Sequence, residues 1–290
     1  MIKNRKFKVK IAKNAGFCFG VRRAINLTEK AIQKKNKVYT LGPIIHNPQE
    51  VERLKKQGIK ILKESSKIKK SSIILRTHGI PFNLHKKFKK NKNINLIDAT
   101  CPFVKRTQNI VKQLLDINSK EKIIIIGEKN HPEVIALKSY GKGKCVILEN
   151  CQEAQNFKRK SKLINIVSQT TQTTKNFRNI VKILKKKHKV KVYNTICQAT
   201  LDRQKSAKKL ARNVDLMIVI GGKNSGNTTR LSQICEKITK TYHIEVADDI
   251  QEKWFQKVKI VGVTAGASTP NWIIKNIEKK IKELAYIVNY

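Results

Sequence analysis

One phrase recurs along the whole chain and confines its fold more than any other feature: a short β-branched strand, a polar or glycine-rich loop, then an amphipathic helix. It occurs at KVKIA with KNAGFCFG, at VYTLG with PIIHNPQE, and at SIILRTHG. It returns at NLIDATCP, IIIIGEKNHPE and LINIVSQTTQTT, and again at KVYNTICQAT, DLMIVIGGKNSGNT and KIVGVTAGASTP. Alternation of this kind predicts an α/β fold with mainly parallel sheets, whose functional loops lie at the carboxyl ends of the strands.

The phrases fall into three groups, each with three marked loop residues. These are Cys18, His46 and His78, then Cys101, His131 and Thr170, then Cys197, Ser225 and Ser268. The second marked residue follows its cysteine by 28, 30 and 28 positions, and the third by 60, 69 and 71. The order predicts three similar α/β modules in a pseudo-threefold arrangement around a central site, spanning residues 12–95, 96–192 and 193–283. No long Gly/Ser or Pro-rich linker parts them, so close packing is expected. The last apolar-periodic segment, WIIKNIEKKIKELAYI, predicts a helix that covers a module surface or a junction.

With 63 Lys and Arg against 20 Asp and Glu, the formal net charge is +43. Such a field attracts polyanions. The lysines, however, run from end to end, without a basic tail or domain, so a solvated face and a general Lys, Asn and Ile bias account for them better than a nucleic-acid partner. The basic opening MIKNRKFKVKIAKNAG is followed by no continuous apolar core of signal-peptide type. The longest apolar runs, near Ile123 and Leu216, have strand length rather than membrane-spanning length. A cytoplasmic protein without a membrane segment is expected, a monomer with a dimer as the alternative. Six cysteines without secretory context point to ligands or buried thiols more than to disulfides.

Cys18, Cys101 and Cys197 each follow a predicted strand at a helix start, where unpaired N–H groups favour a thiolate. Pro102 fits the first turn of its helix. There is no compact CxxC pair, which argues against a zinc knuckle. Soft thiolates from three modules suit an iron-sulfur cluster with one iron free of protein ligands; zinc and unrelated structural or redox thiols remain open on spacing alone. Cys145, Cys151 and Cys235 do not recur at equivalent loops and read as structural.

The other marked loops carry groups that hold phosphate: His46 with Asn47, His78 with Gly79, His131, Thr170 with Thr171, Ser225 with Gly226 and Asn227, and Ser268. Helix N-termini would add N–H donors. GGKNSGNT is not the P-loop pattern, and neither glycine-rich loop gives GxGxxG. Glu133 follows His131 and Pro132 at a predicted helix start. It either complements the helix dipole or serves as a proton source beside Thr170 or Thr171.

These motifs together resemble the LytB/IspH family of iron-sulfur reductases over nearly the whole chain. The matching segments are AGFCFGVRRAI, GPIIHNPQEV, RTHG, DATCPFV, GEKNHPEV, SQTT, NTICQATLDRQ, GGKNSGNTTRL and GVTAGASTP. The resemblance implies one 4Fe-4S cluster per chain on Cys18, Cys101 and Cys197, its fourth iron left for the substrate. It implies His46, His78, His131, Thr170, Ser225, Gly226, Asn227 and Ser268 around an allylic diphosphate, with Glu133, Thr170 and His131 as the catalytic groups. The implied reaction is reductive removal of a hydroxyl from 4-hydroxy-3-methylbut-2-enyl diphosphate, with electrons from a ferredoxin or flavodoxin-type carrier.

Two departures from the family pattern stand out. NSGN replaces the usual NSSN, so Gly226 brings no hydroxyl, and Thr173 stands where a serine is common. The rivals are another iron-sulfur reductase or dehydratase acting on a phosphorylated substrate and, more remotely, a basic nucleic-acid-binding protein.

Overall fold

The computed structural model describes residues 7–34, 37–62, 71–117, 121–158 and 163–286. The first six residues of the basic opening lie outside the described residues. The strands are β1 (Lys8–Ile11), β2 (Val38–Thr40), β3 (Ile59–Ile61), β4 (Ser71–Leu75), β5 (Ile94–Asp98), β6 (Lys122–Ile126), β7 (Cys145–Leu148), β8 (Ile164–Ser168), β9 (Val190–Val192), β10 (Leu216–Ile220), β11 (Lys240–Ile244) and β12 (Ile260–Ala265). The helices are α1 (Phe19–Gln33), α2 (Pro48–Lys56), α3 (Phe82–Lys90), α4 (Pro102–Ile117), α5 (Pro132–Tyr140), α6 (Cys151–Gln155), α7 (Thr174–Lys187), α8 (Gln198–Ala211), α9 (Gly226–Glu236) and α10 (Asn271–Tyr286).

The strands form three sheets of four, ordered β3-β2-β4-β5, β7-β6-β8-β9 and β11-β10-β12-β1, and every pairing is parallel. The three orders are the same order. In each, the strand that leads into a cysteine loop is an edge strand: β5 before Cys101, β9 before Cys197, β1 before Cys18. Residues 96–192 contain one sheet entire. Residues 193–283 contain three strands of another, whose fourth, β1, comes from the start of the chain and pairs Lys8 with Ile260. Residues 12–95 hold β2, β3 and β4 and only the beginning of β5.

The chain divides into two compact units. The first comprises Met1–Val21, Ile45–Arg53 and Gln198–Tyr290, and the second Arg22–Ile44 and Leu54–Cys197. In the first unit, β10 (LMIVI) is buried along its whole length, as a parallel strand covered on both faces must be. Period-two alternation sorts its side chains: Leu216, Ile218 and Ile220 pack with Ile273, Ile277 and Ile281 of α10, while Met217 and Val219 pack with Ala207, Ala211 and Leu231 of α8 and α9. The expected final helix is therefore a sheet cover. In the second unit, Ile123, Ile125 and Val167 pack against Val111 and Leu114 of α4 and Val134 and Leu137 of α5. Each such aliphatic burial contributes about 1.5–3 kcal/mol.

Close packing at the strand ends explains one glycine. Gly221, directly after β10, has φ +143°, and a Cβ there would stand 2.6 Å from Thr269 Oγ1. Among the described residues, no helix is long and apolar enough to cross a membrane.

Candidate active site

Each of the three cysteines occupies the same local position, the residue immediately before a helix: Cys18 before α1, Cys101 before α4, Cys197 before α8. Each also donates its backbone N–H to the loop that follows the neighbouring strand. Cys18 N reaches Ala267 O at 3.2 Å, Cys101 N reaches Thr77 O at 2.9 Å, and Cys197 N reaches Thr170 O at 2.9 Å. The backbone of each cysteine is thus fixed by a hydrogen bond to a neighbouring loop.

All six cysteines are free thiols. Burial pushes the Cys145 and Cys235 thiols up to about 12, so they remain neutral and poor ligands. Cys18, Cys101 and Cys197 are only partly buried. Two arginines brace the cysteine loops. In the second unit Arg23 donates to the carbonyls of Asp98 and Thr100, at 3.1 and 3.3 Å, just ahead of Cys101. In the first, Arg203, 4% exposed, donates to Gly16 O at 2.6 Å, just ahead of Cys18. Sequence reading did not single out either arginine, because a structural arginine has no local signature.

Hydrogen-bonded turns set the repeat register more finely than spacing does. Gly79 N bonds to Arg76 O, Gln172 N to Gln169 O and Thr269 N to Gly266 O. Thr170 therefore stands in step with Thr77 and Ala267, and Thr171 in step with His78 and Ser268. Thr170 engages Glu133 directly. That carboxylate is 1% exposed; its Oε1 accepts from Thr170 N at 2.6 Å and its Oε2 from Thr170 Oγ1 at 2.8 Å.

His131 is the N-cap of α5: its Nδ1 accepts from Glu133 N at 3.1 Å, so a neutral ring carries its proton on Nε2 as a donor. The His78 and His131 rings meet edge to face, with centroids 5.3 Å apart. Thr173 caps α7 by accepting from Asn176 N at 3.3 Å, so the departure from serine preserves a capping hydroxyl.

The first unit holds His46, Ser225, Gly226, Asn227 and Ser268. Ser225 caps α9, accepting from Thr228 N at 3.4 Å. Ser268 Oγ donates to His46 O at 2.9 Å. The residue that caps α2 is Asn47, whose Oδ1 accepts from Glu50 N at 2.9 Å, so His46 sits one position upstream of its counterparts His131 and Ser225. The Asn-Pro-Gln-Glu string is a sequence signal that would have found this cap.

Nδ2 of Asn47 and of Asn227 are buried amide donors with no hydrogen-bond partner among the described residues. Buried donors left this way are costly unless something accepts from them, and phosphate oxygens can do so.

The LytB protein family model matches residues 9–282. The chain belongs to the LytB family. A relative from Aquifex aeolicus, 4-hydroxy-3-methylbut-2-enyl diphosphate reductase, is 48% identical over 283 residues, covering 94% of this chain and 96% of the relative. The reductase of the same name from Syntrophotalea carbinolica is 43% identical over 285 residues, covering 96% and 99%.

Among solved structures, one of (E)-4-hydroxy-3-methyl-but-2-enyl diphosphate reductase, described as the terminal enzyme of the non-mevalonate pathway, has a TM-score of 0.70 at 46% identity and covers 96% of this chain and 99% of its own. The E-1-hydroxy-2-methyl-but-2-enyl-4-diphosphate reductase of Plasmodium falciparum has a TM-score of 0.87 at 27% identity, covering 99% and 92%. This family membership favours an oxidoreductase of the LytB type over the reading drawn from charge alone.

Proposed function

We propose that this chain reduces 4-hydroxy-3-methylbut-2-enyl diphosphate to isopentenyl and dimethylallyl diphosphate. Two electrons and two protons are consumed, the allylic C–O bond breaks, and water leaves. The observation that carries the reading is the buried Glu133 carboxylate held on both oxygens by Thr170, in a chain of this family with three equivalent helix-start cysteines.

Cys18, Cys101 and Cys197 would hold one 4Fe-4S cluster. Their chemistry fits it: soft sulfur donors, each at a helix start that stabilises thiolate, each with its backbone already satisfied. Three cysteines leave one iron without a protein ligand. Such a cluster supplies electrons and a Lewis-acidic iron at the substrate hydroxyl.

The chain's own residues do the rest. The diphosphate is bound by His46, His78, His131, Ser225, Asn227 and Ser268, with the Gly226 N–H at the start of α9. Asn47 joins this set through its unmatched Nδ2. The His131 Nε2–H is a donor suited to a phosphate oxygen. Glu133 passes a proton toward the reacting end of the substrate, and Thr170 both orients the carboxylate and supplies a hydroxyl beside it. Fixing the diphosphate confines the carbon chain, so reduction proceeds with little rotational freedom.

A ferredoxin or flavodoxin-type carrier delivers the electrons one at a time. We place the reaction in the cytoplasm, where thiols such as these six stay reduced.

Mössbauer spectroscopy of anaerobic, iron-57-labelled protein, with and without the allylic diphosphate, tests the proposal. One distinct iron whose signal changes on substrate addition is expected. Protein that binds no iron after anaerobic reconstitution would overturn it.

A further inference from the structure

In the second unit, a groove of about 640 Å³ opens beside α4, lined by Arg23, Thr100, Pro102, Lys105, Arg106 and Gln113 among others. Two of these, Thr100 and Pro102, are the residues on either side of Cys101. A molecule seated in the groove is therefore one residue from a proposed cluster ligand. Its rim is positive: Arg106 is exposed, and Arg23 is fixed there by its bonds to the carbonyls of Asp98 and Thr100. The nearby acid, Asp98, is neutralised by Lys105 at 2.5 Å. Phe103, the residue after Pro102, is 38% exposed and offers an apolar side chain on the same helix.

Resting on the reductase reading above, we propose that this groove is the docking surface for an acidic one-electron carrier protein of the ferredoxin class. The groove joins positive charge to the two residues covalently bonded to Cys101, and the exposed Phe103 follows one of them in the chain. Steering by complementary charge brings the acidic carrier to this face, and Phe103 adds apolar contact once it is seated. Two reduced carriers in succession each give up one electron and leave oxidised. With two protons these electrons reduce the allylic C–OH, and water is released. The overall charge of +43 would draw an acidic protein to any face, so the proposal concerns location.

The test compares reconstituted holoenzyme with the Arg106→Glu/Gln113→Glu variant, and with a Lys182→Glu/Lys186→Glu control on the exposed side of α7. An acidic plant-type 2Fe-2S ferredoxin is the probe, its affinity measured by calorimetry at low salt. Turnover of the allylic diphosphate is followed separately with that ferredoxin and with reduced methyl viologen, a small donor that needs no protein dock. The groove variant is expected to lose about tenfold or more in ferredoxin affinity and to raise the KM for ferredoxin similarly, while keeping viologen-driven turnover.

The α7 control should change both by less than about threefold. Equal weakening in the groove variant and the control, or none in the groove variant, would overturn the location. Failure of wild-type protein to convert the allylic diphosphate with viologen would instead strike the reductase reading, while the calorimetric comparison would still decide whether the groove binds the carrier.

Discussion

Thr170 holds Glu133 by both carboxylate oxygens, through its backbone N–H at 2.6 Å and its hydroxyl at 2.8 Å. The backbone bond persists whatever the side chain, so substitution at 170 separates orientation from presence of the acid. Glu133→Gln is expected to lower kcat by roughly 10²–10⁴-fold, the usual worth of a positioned general acid. Thr170→Val should lower kcat about tenfold with a smaller change in KM, and Thr170→Ser should restore most of it. Steady-state kinetics with a viologen donor measures all three. A Thr170→Val enzyme that is as fast as wild type would show the hydroxyl to be dispensable.

His131 does two things with two nitrogens. Nδ1 caps α5, and Nε2 is the nitrogen proposed above to meet a phosphate oxygen. Asn is also a good N-cap but lacks the Nε2 donor. His131→Asn is therefore expected to keep the melting temperature and raise the KM for the diphosphate, while His131→Ala also loses about 0.5–2 kcal/mol of stability. Calorimetric melting alongside KM distinguishes the cap from the ligand. If both variants melt alike and both raise KM, the cap contributes nothing.

The thiols divide by burial. Cys145 and Cys235, with pKa values raised to about 12 by burial, are neutral near neutral pH, and each packs in an apolar cluster. Cys145→Ala and Cys235→Ala should retain full iron after reconstitution and lose stability through the cavities left behind, on the order of 1 kcal/mol or more. Ser at 18, 101 or 197 should cut iron and sulfide content sharply with little change in melting of the apoprotein. Iron and acid-labile sulfide assays check both halves.

How much of this was legible in the sequence follows from the kind of interaction involved. Strands such as Ile123–Ile126 and Leu216–Ile220 announced themselves, because a parallel strand buried on both faces must be apolar throughout. The short edge strands β3 and β11 did not: IKI and KTYHI each bury a single residue fully, so little apolar pattern marks them. The pairing of β1 with β12 was also hidden, since it joins residues some 250 apart and no local pattern encodes it.

Within the site, residue types were legible and register was not. The Asn47 cap of α2 was legible in Asn-Pro-Gln-Glu though spacing alone pointed to His46, whereas the step of Thr170 with Thr77 depends on single hydrogen bonds in loops. The Arg23 and Arg203 braces became visible only once distant carbonyls were in place.

Gly226 opens α9 at the position after the Ser225 cap, where the family pattern has a hydroxyl. A missing neutral donor to a diphosphate oxygen weakens binding by about 0.5–1.5 kcal/mol. Gly226→Ser is thus expected to lower the KM for the allylic diphosphate by roughly two- to tenfold at similar kcat, and to stabilise the helix start slightly through lost backbone freedom. Substrate titrations of the two proteins decide it. An unchanged or higher KM would mean that other donors already saturate the diphosphate.

Asp98 ends β5 two residues before Thr100, whose N–H donates to its Oδ1 at 3.0 Å, while Lys105 donates to Oδ2 at 2.5 Å. Burial alone would push this carboxyl up, but the Lys105 ammonium and the Thr100 bonds outweigh it and hold the carboxyl below its ordinary value. A carboxylate whose folded pKa is depressed contributes stability that is complete above its unfolded pKa, roughly 4. That contribution disappears as pH falls through the lower, folded value.

Asp98→Asn keeps an oxygen for the Thr100 N–H and loses the charge pair. With Lys105 55% exposed and Asp98 26%, the neutral-pH cost should be under about 1 kcal/mol. Urea unfolding at a series of pH values should show the two proteins converging as pH falls from about 5 toward 2, because protonated Asp98 no longer differs from Asn in charge. A gap that instead widened toward acid would mean that Asp98 stabilises the fold through its neutral form, and that the Lys105 pair is incidental.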